Sequence, residues 1–391
     1  MSFLLDPLYW KHAFQFSESD LIPSLLFALA AGLLLWWLLA VCHPVAVPRP
    51  RKKQPQLPEP QGPFPAVSIV VAAHNEYRNL EQNLDSWLNQ DYPDFEVVVI
   101  NDRSTDDSHL VLLQKAQENP RLKIVHLDPD YVRNGGKKLA LTLGFKKAQF
   151  PYFVLTDADC KPASDQWLKH MCQAFKPGID LVIAPSPLVV HPGFLGGVIH
   201  FETLLTHLHF LGWGLRKTPY MGLGRNLAYT RSAYDGVGGF SQHHHIPAGD
   251  DDLFVQSTAN SHNAAVVLRS EAFTYSPGAR SWKAYTKQKM RHLWVGKLYS
   301  QSIKRRLSLF PISQLLLFLS LVLWWSFSKG WVYPSLATLT SVVSLWIVLH
   351  RKGKQFGMTQ FTRLFPLHLV FYSCWYLYMG IRVFFTRRII W

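Results

Sequence analysis

No charged residue interrupts the chain from 21 to 42, a run long enough to cross a bilayer as one helix. Comparable runs lie at 310–327 and 331–349, and a fourth, at 365–385, is interrupted by Arg382. Such segments are incompatible with a wholly soluble fold and leave only the middle of the chain for a globular domain. Basic clusters flank them: Arg49-Pro50-Arg51-Lys52-Lys53, Lys304-Arg305-Arg306, Arg351-Lys352-Gly353-Lys354 and Arg387-Arg388. Positive charge favours the cytoplasmic side, so the first run should end there. The hairpin 310–349 should have both ends there, with Ser328-Lys329-Gly330 as its outer turn. If 365–385 spanned, Arg387-Arg388 would lie outside; the alternative is a helix in the interface. The first run does not read as a cleavable signal, because Asp6, Glu18 and Asp20 precede it in place of a basic n-region.

The expected organisation is an N-terminal segment 1–20, a transmembrane helix 21–43, a linker 44–65, a globular domain 66–300 and a membrane region 308–386. The linker holds eight prolines and should be extended. The net charge of +14 would suit nucleic acid, but its clustering beside apolar runs points to anionic membrane lipids instead. No stretch of the central domain interleaves basic and aromatic residues, so nucleic acid is not an expected partner. The cysteines (Cys42, Cys160, Cys172, Cys374) have neither disulfide nor zinc spacing, which fits a domain facing a reducing cytosol.

From 66 onward β-branched runs at 67–72, 96–100, 122–127 and 152–155 alternate with helical stretches at 80–89, 108–118 and 137–149. This rhythm predicts an α/β fold with a doubly wound, mostly parallel sheet, which binds ligands at the carboxyl ends of its strands. Neither a G-x-G-x-x-G turn nor a Walker lysine motif follows the first strand. The strand ends are instead rich in polar groups. Thr156-Asp157-Ala158-Asp159 places two carboxylates at one tip, where their repulsion is relieved by a divalent metal carrying a diphosphate. His74-Asn75-Glu76 and Asn101-Asp102-Arg103 offer acceptors for a base and ribose, while Asp106 suits a helix cap. Asn134-Gly135-Gly136-Lys137-Lys138 opens a helix whose amino terminus and Lys137 suit a phosphate. Asp250-Asp251-Asp252 exceeds what a helix start needs, leaving one carboxylate as a general base. His243-His244-His245 lies just before it, and four histidines within 191–220 have no metal spacing, so surface or lipid-interface packing is expected of them. In Gln288-Lys289-Met290-Arg291-His292, on an amphipathic helix leading into the membrane, Arg291 either anchors the helix or closes over a leaving diphosphate.

In this order and spacing, these segments, with Gly222-Leu223-Gly224-Arg225-Asn226 and Val237-Gly238-Gly239-Phe240, resemble the membrane-associated family 2 glycosyltransferases of GT-A (Rossmann-like) fold. The resemblance implies inverting transfer of a sugar from a nucleotide-sugar, most often a UDP-sugar. It further implies that Asp102 contacts the base and that Asn75 and Glu76 help hold the nucleoside. Asp157 and Asp159 would form the metal motif, with Asp159 the direct ligand of Mg²⁺ or Mn²⁺. The base is Asp250 if the following Asp-Leu sets the alignment, and Asp251 if the first acidic pair does. Gln288 and Arg291 match the Gln-x-x-Arg-Trp motif of processive synthases, but His292 replaces its tryptophan.

The expectation is an enzyme integral to the cytoplasmic membrane, catalytic domain inward, adding one sugar to a lipid or glycan acceptor. A processive polysaccharide synthase and a non-catalytic scaffold of the same fold are the alternatives.

Overall fold

A computed structural model describes residues 11–48, 64–128, 136–244, 246 and 248–386. The greater part of the linker (49–63), Asn134-Gly135, His245 and Arg387-Arg388 lie outside the described residues. The strands are β1 (Val67–Ala73), β2 (Phe95–Asp102), β3 (Leu122–Leu127), β4 (Tyr152–Asp157), β5 (Lys161–Pro162), β6 (Leu181–Ile183), β7 (Leu188–Val189), β8 (Leu227–Thr230), β9 (Ala264–Val266) and β10 (Thr274–Pro277). One seven-stranded sheet runs β3-β2-β1-β4-β8-β6-β9, and a small second sheet runs β5-β10-β7. β1, β2, β3 and β4 are mutually parallel, whereas β8 runs antiparallel to both of its neighbours.

Every residue of β2 is buried, because helices cover both faces and leave no strand position for solvent. On one face Val67, Ile69, Val71, Val97 and Val99 meet Leu80, Leu84 and Trp87 of helix Tyr77–Leu88 and Leu112 of Ser108–Glu118. On the other, Val70, Val98 and Ile100 meet Leu141 and Phe145 of helix Lys137–Lys147. Gly144 permits that approach, since a Cβ there would lie 2.5 Å from the Ile100 side chain. The chain passes from β1 to β2 and β3 on one side and returns to β4 on the other. A crevice therefore opens between the carboxyl ends of β1 and β4.

Helix Phe194–Leu215 occupies the segment in which the sequence shows only scattered histidines. It is apolar all round and buried, so it carries no amphipathic period to read. Its histidines are satisfied within the core. His207 accepts from Ser186 N at 3.0 Å and donates to Thr203 O at 2.7 Å. His209 accepts from Trp37 Nε1 at 3.0 Å and donates to Leu205 O at 2.9 Å. Burial draws their pKa values down to about 3 and about 4, so both are neutral. Surface or lipid-interface packing was the expectation for these side chains; burial in the core takes its place.

Among the described residues, three helices are long and apolar enough to cross a membrane: Glu18–Cys42, Gln301–Phe327 and Val332–Phe356. The first lies along the second, with Trp37 against Phe310 at 4.4 Å between ring centres and Trp324 Nε1 donating to Asp20 at 2.9 Å. The fourth apolar helix, Phe365–Phe385, is held at both ends by the globular domain. His368 stacks on Phe194 at 4.7 Å. At the other end Lys297 Nζ donates to the carbonyls of Val383, Phe384 and Thr386 at 2.8, 3.3 and 3.0 Å, a cation capping a helix C-terminus.

Candidate active site

The tips of β1 and β2 turn through left-handed backbone at Asn75 (φ 56°) and Arg103 (φ 54°), a conformation that needs outside support in residues other than glycine. Side chains of the neighbouring loop supply it. Asn75 Oδ1 accepts from Thr105 N at 2.8 Å, and Asn75 N donates to Ser104 Oγ at 2.9 Å. Asp106 accepts from Tyr77 N and Ser108 N at 3.0 and 3.1 Å, holding the first turns of two helices. Asn75 and Asp106 thus brace the loop, and neither lines the cavity below it. Asp102 does line it, in a two-bond pair with Arg103 at 2.7 and 3.1 Å.

The parallel register sets Asp157 opposite Ala72, bringing the β4 acids beside the β1 tip. Carboxylate oxygens of Asp157 and Asp159 and Sγ of Cys160 lie within 4.8 Å of one another. Burial, and then the charge of Asp157, push the Asp159 carboxyl above its usual range. Burial also holds the Cys160 thiol protonated, and it donates to Asp159 Oδ1 at 3.3 Å. Two converging carboxylates and a thiol kept as a donor fit a hard, oxygen-seeking divalent ion such as Mg²⁺ or Mn²⁺, not a thiolate-bound one.

Lys137 is the cation nearest to these acids, with Nζ 2.7 Å from Asp157 and 3.3 Å from Asp250. The acidic run divides into three environments. Asp251 begins helix Asp252–Thr258 and spends both oxygens on backbone, accepting from Gly224 N at 3.0 Å and Asp252 N at 2.9 Å. Burial and the neighbouring Asp251 push the Asp252 carboxyl far up, and Tyr299 donates its hydroxyl to it. Burial acts on Asp250 in the same direction, but the charges of Lys137 and Lys138 outweigh it and hold this carboxyl below its usual range. Asp250 is therefore the ionised member with an oxygen to spare.

One cavity of about 2640 Å³ joins these groups. Glu76, Asp102, Lys137, Asp157, Asp159, Asp250, Asp251, Gln288 and Arg291 all line it, so of the site residues expected from sequence it gathers all but Asn75. His244 and His292 line it too. The exposed His292 ring opens onto this space; desolvation in the crevice and then the charges of Lys289, Arg291 and Arg225 lower its pKa well below the usual imidazole value. Beyond them the cavity continues between helices Gln301–Phe327 and Phe365–Phe385, past Phe310, Gln314, Phe318, Tyr376 and Gly380. Sequence reasoning missed the ion pair of Lys289 with Glu202, at 2.5 Å on its wall. A lone carboxylate in the apolar stretch 194–215 was the available signal.

Residues 68–224 match glycosyl transferase family 2. The beta-monoglucosyldiacylglycerol synthase of Nostoc sp. is 34% identical over 134 residues, which cover 34% of this chain and 27% of that protein. The poly-beta-1,6-N-acetyl-D-glucosamine synthase of Staphylococcus epidermidis is 33% identical over 93 residues, covering 24% and 21%. The chain thus spans about a quarter of the length of these curated relatives. Among solved structures, the mannosyltransferase PcManGT from Pyrobaculum calidifontis, in complex with GDP-Man and Mn²⁺, superposes with a TM-score of 0.56 at 18% identity over 92% of this chain and 99% of that one. The likeness is one of fold, GT-A. Residues 68–224 form a family 2 glycosyltransferase domain, carried between apolar helices of membrane-spanning length.

Proposed function

We propose that the protein is a membrane-bound inverting glycosyltransferase that moves one sugar from a nucleotide-sugar, a UDP-sugar by resemblance, to a lipid or lipid-linked acceptor. The observation that carries this reading is the single cavity linking the acid cluster to the membrane helices. A site serving a soluble acceptor has no use for an arm between Phe310 and Gly380, whereas a lipid presents its headgroup from that side. The Nostoc relative, named as a synthase of a glucosylated diacylglycerol, supports a lipid acceptor.

In this reading Asp102 and Glu76 hold the nucleoside, and Asn75 acts only through the loop it braces. Asp157 and Asp159 hold Mg²⁺ or Mn²⁺, which when bound supplies a Lewis acid for the diphosphate. Lys137, Gln288 and Arg291 bind the phosphates. Asp250 takes the proton of the acceptor hydroxyl as its oxygen bonds to the sugar's anomeric carbon and the bond to the diphosphate breaks. The nucleoside diphosphate leaves, and the anomeric configuration is inverted. The basic flanks favour a catalytic domain on the cytoplasmic face of the inner membrane. Attachment of both ends of helix Phe365–Phe385 to that domain favours an interfacial position for it.

Membranes containing the wild-type protein, given labelled nucleotide-sugars, should transfer label into solvent-extractable lipid. Membranes containing Asp159→Ala should not. Label found only in water-soluble polymer would favour a processive synthase.

A further inference from the structure

Gln314 lies eight residues beyond Arg306 on helix Gln301–Phe327, about 12 Å along its axis from the basic cluster. Its side chain is buried (the residue is 3% exposed) and lines the cavity, yet neither its amide oxygen nor its nitrogen has a hydrogen-bond partner among the described residues. The other buried polar side chains of this helix are satisfied, Ser313 by Phe310 O at 2.7 Å and Ser320 by Leu317 O at 2.8 Å. An orphaned amide in an apolar helix destabilises the resting protein. A ligand that bonds to it would account for its presence. Near it, Pro311 lacks the N–H that would bond the Leu307 carbonyl, and both residues line the same space.

A lipid whose headgroup reaches Asp250 has its chains in this arm. Leu315 and Leu377 line the cavity and are each 58% exposed, apolar surface that suits acyl chains. Below its phosphate a polyprenyl chain offers only hydrocarbon to an amide. A diacylated glycerol offers ester carbonyls just beneath the headgroup, and the Gln314 amide nitrogen can donate to them. Resting on the lipid-acceptor reading above, we infer that Gln314 is a specificity residue that selects an acyl-ester glycerolipid by hydrogen-bonding its linkage carbonyl.

The test uses the full-length protein in vesicles of phosphatidylcholine and phosphatidylglycerol, with dioleoylglycerol or its dioleyl ether, which lacks the carbonyls, as acceptor. For the wild type, KM for the ester should be about tenfold lower than for the ether, the worth of one buried hydrogen bond. Gln314→Leu should raise KM for the ester to that of the ether, and should melt higher than wild type without acceptor. Gln314→Met, of similar length, gives the same comparison if the leucine variant does not fold. Retained ester preference in these variants, no preference in the wild type, or better transfer to polyprenyl phosphate than to either glycerolipid would overturn the inference. If the wild type glycosylates no lipid at all, the lipid-acceptor reading falls as well; if it glycosylates lipids indifferently, only Gln314's role falls.

Discussion

Removing the Lys137 ammonium tests the electrostatic design of the site. Its Nζ stands 3.3 Å from Asp250 and 2.7 Å from Asp157, and the Asp250 side chain is 15% exposed. At an effective dielectric constant of about 20, a charge pair at that distance is worth about 5 kcal/mol before desolvation. Opposite charges this close lower a carboxyl pKa by about 1–3 units. In Lys137→Met the burial that already pushes Asp250 up would act with less opposition, since Lys138 would remain as a counter-charge. As the proposed base, Asp250 accepts a proton only when ionised, so activity should be present above its pKa and lost as pH falls through it. Raising that pKa moves the loss to higher pH. The acid limb of the kcat/KM profile, measured at saturating metal, should therefore rise by about 1–3 pH units. A variant that is merely slower, with its acid limb unmoved, would show that Lys137 does not set the state of Asp250.

Asp250→Asn should lower kcat by about 10²–10⁴-fold, as removal of a general base does. Asp251→Asn should instead lower the melting temperature and spare more activity, and the reverse ranking would reassign the base. Asp159→Ala should abolish metal-dependent nucleotide release with an unchanged circular dichroism spectrum; normal turnover would remove the metal assignment. Gly212→Ala places a Cβ 2.4 Å from Val41 O. It should cost about 1–3 kcal/mol by overpacking the contact between helix Phe194–Leu215 and the end of the first membrane helix; an unchanged melting temperature in detergent would contradict that packing. Asp106→Ala should cost about 1 kcal/mol, the worth of a helix-start cap, while leaving KM for the donor unchanged. A large rise in that KM would place Asp106 in the donor site.

The strands and helices around the crevice are legible because their signals are local. β-branched runs mark β1 to β4, and the polar residues that end them are the ones the fold brings together. Helix Phe194–Leu215 is hidden because burial on every side removes the contrast between faces. The roles within Asp250-Asp251-Asp252 are equally hidden: three identical residues differ only in what approaches them, Lys137 from one helix, Gly224 N from a loop, and Tyr299 from beyond the amphipathic helix. Asn75 illustrates the converse. Its residue type suits a nucleoside contact, but the left-handed turn at the β1 tip commits its oxygen to Thr105. Gln314 became conspicuous only when its lack of partners and its place on the cavity wall were both visible.

The most direct test is nucleotide release by the detergent-purified protein with Mn²⁺ or Mg²⁺, across a panel of nucleotide-sugars, with and without membrane lipid extract. The account predicts release with one donor that requires both metal and lipid and disappears in Asp250→Asn. The absence of both release and donor binding across the whole panel would contradict it.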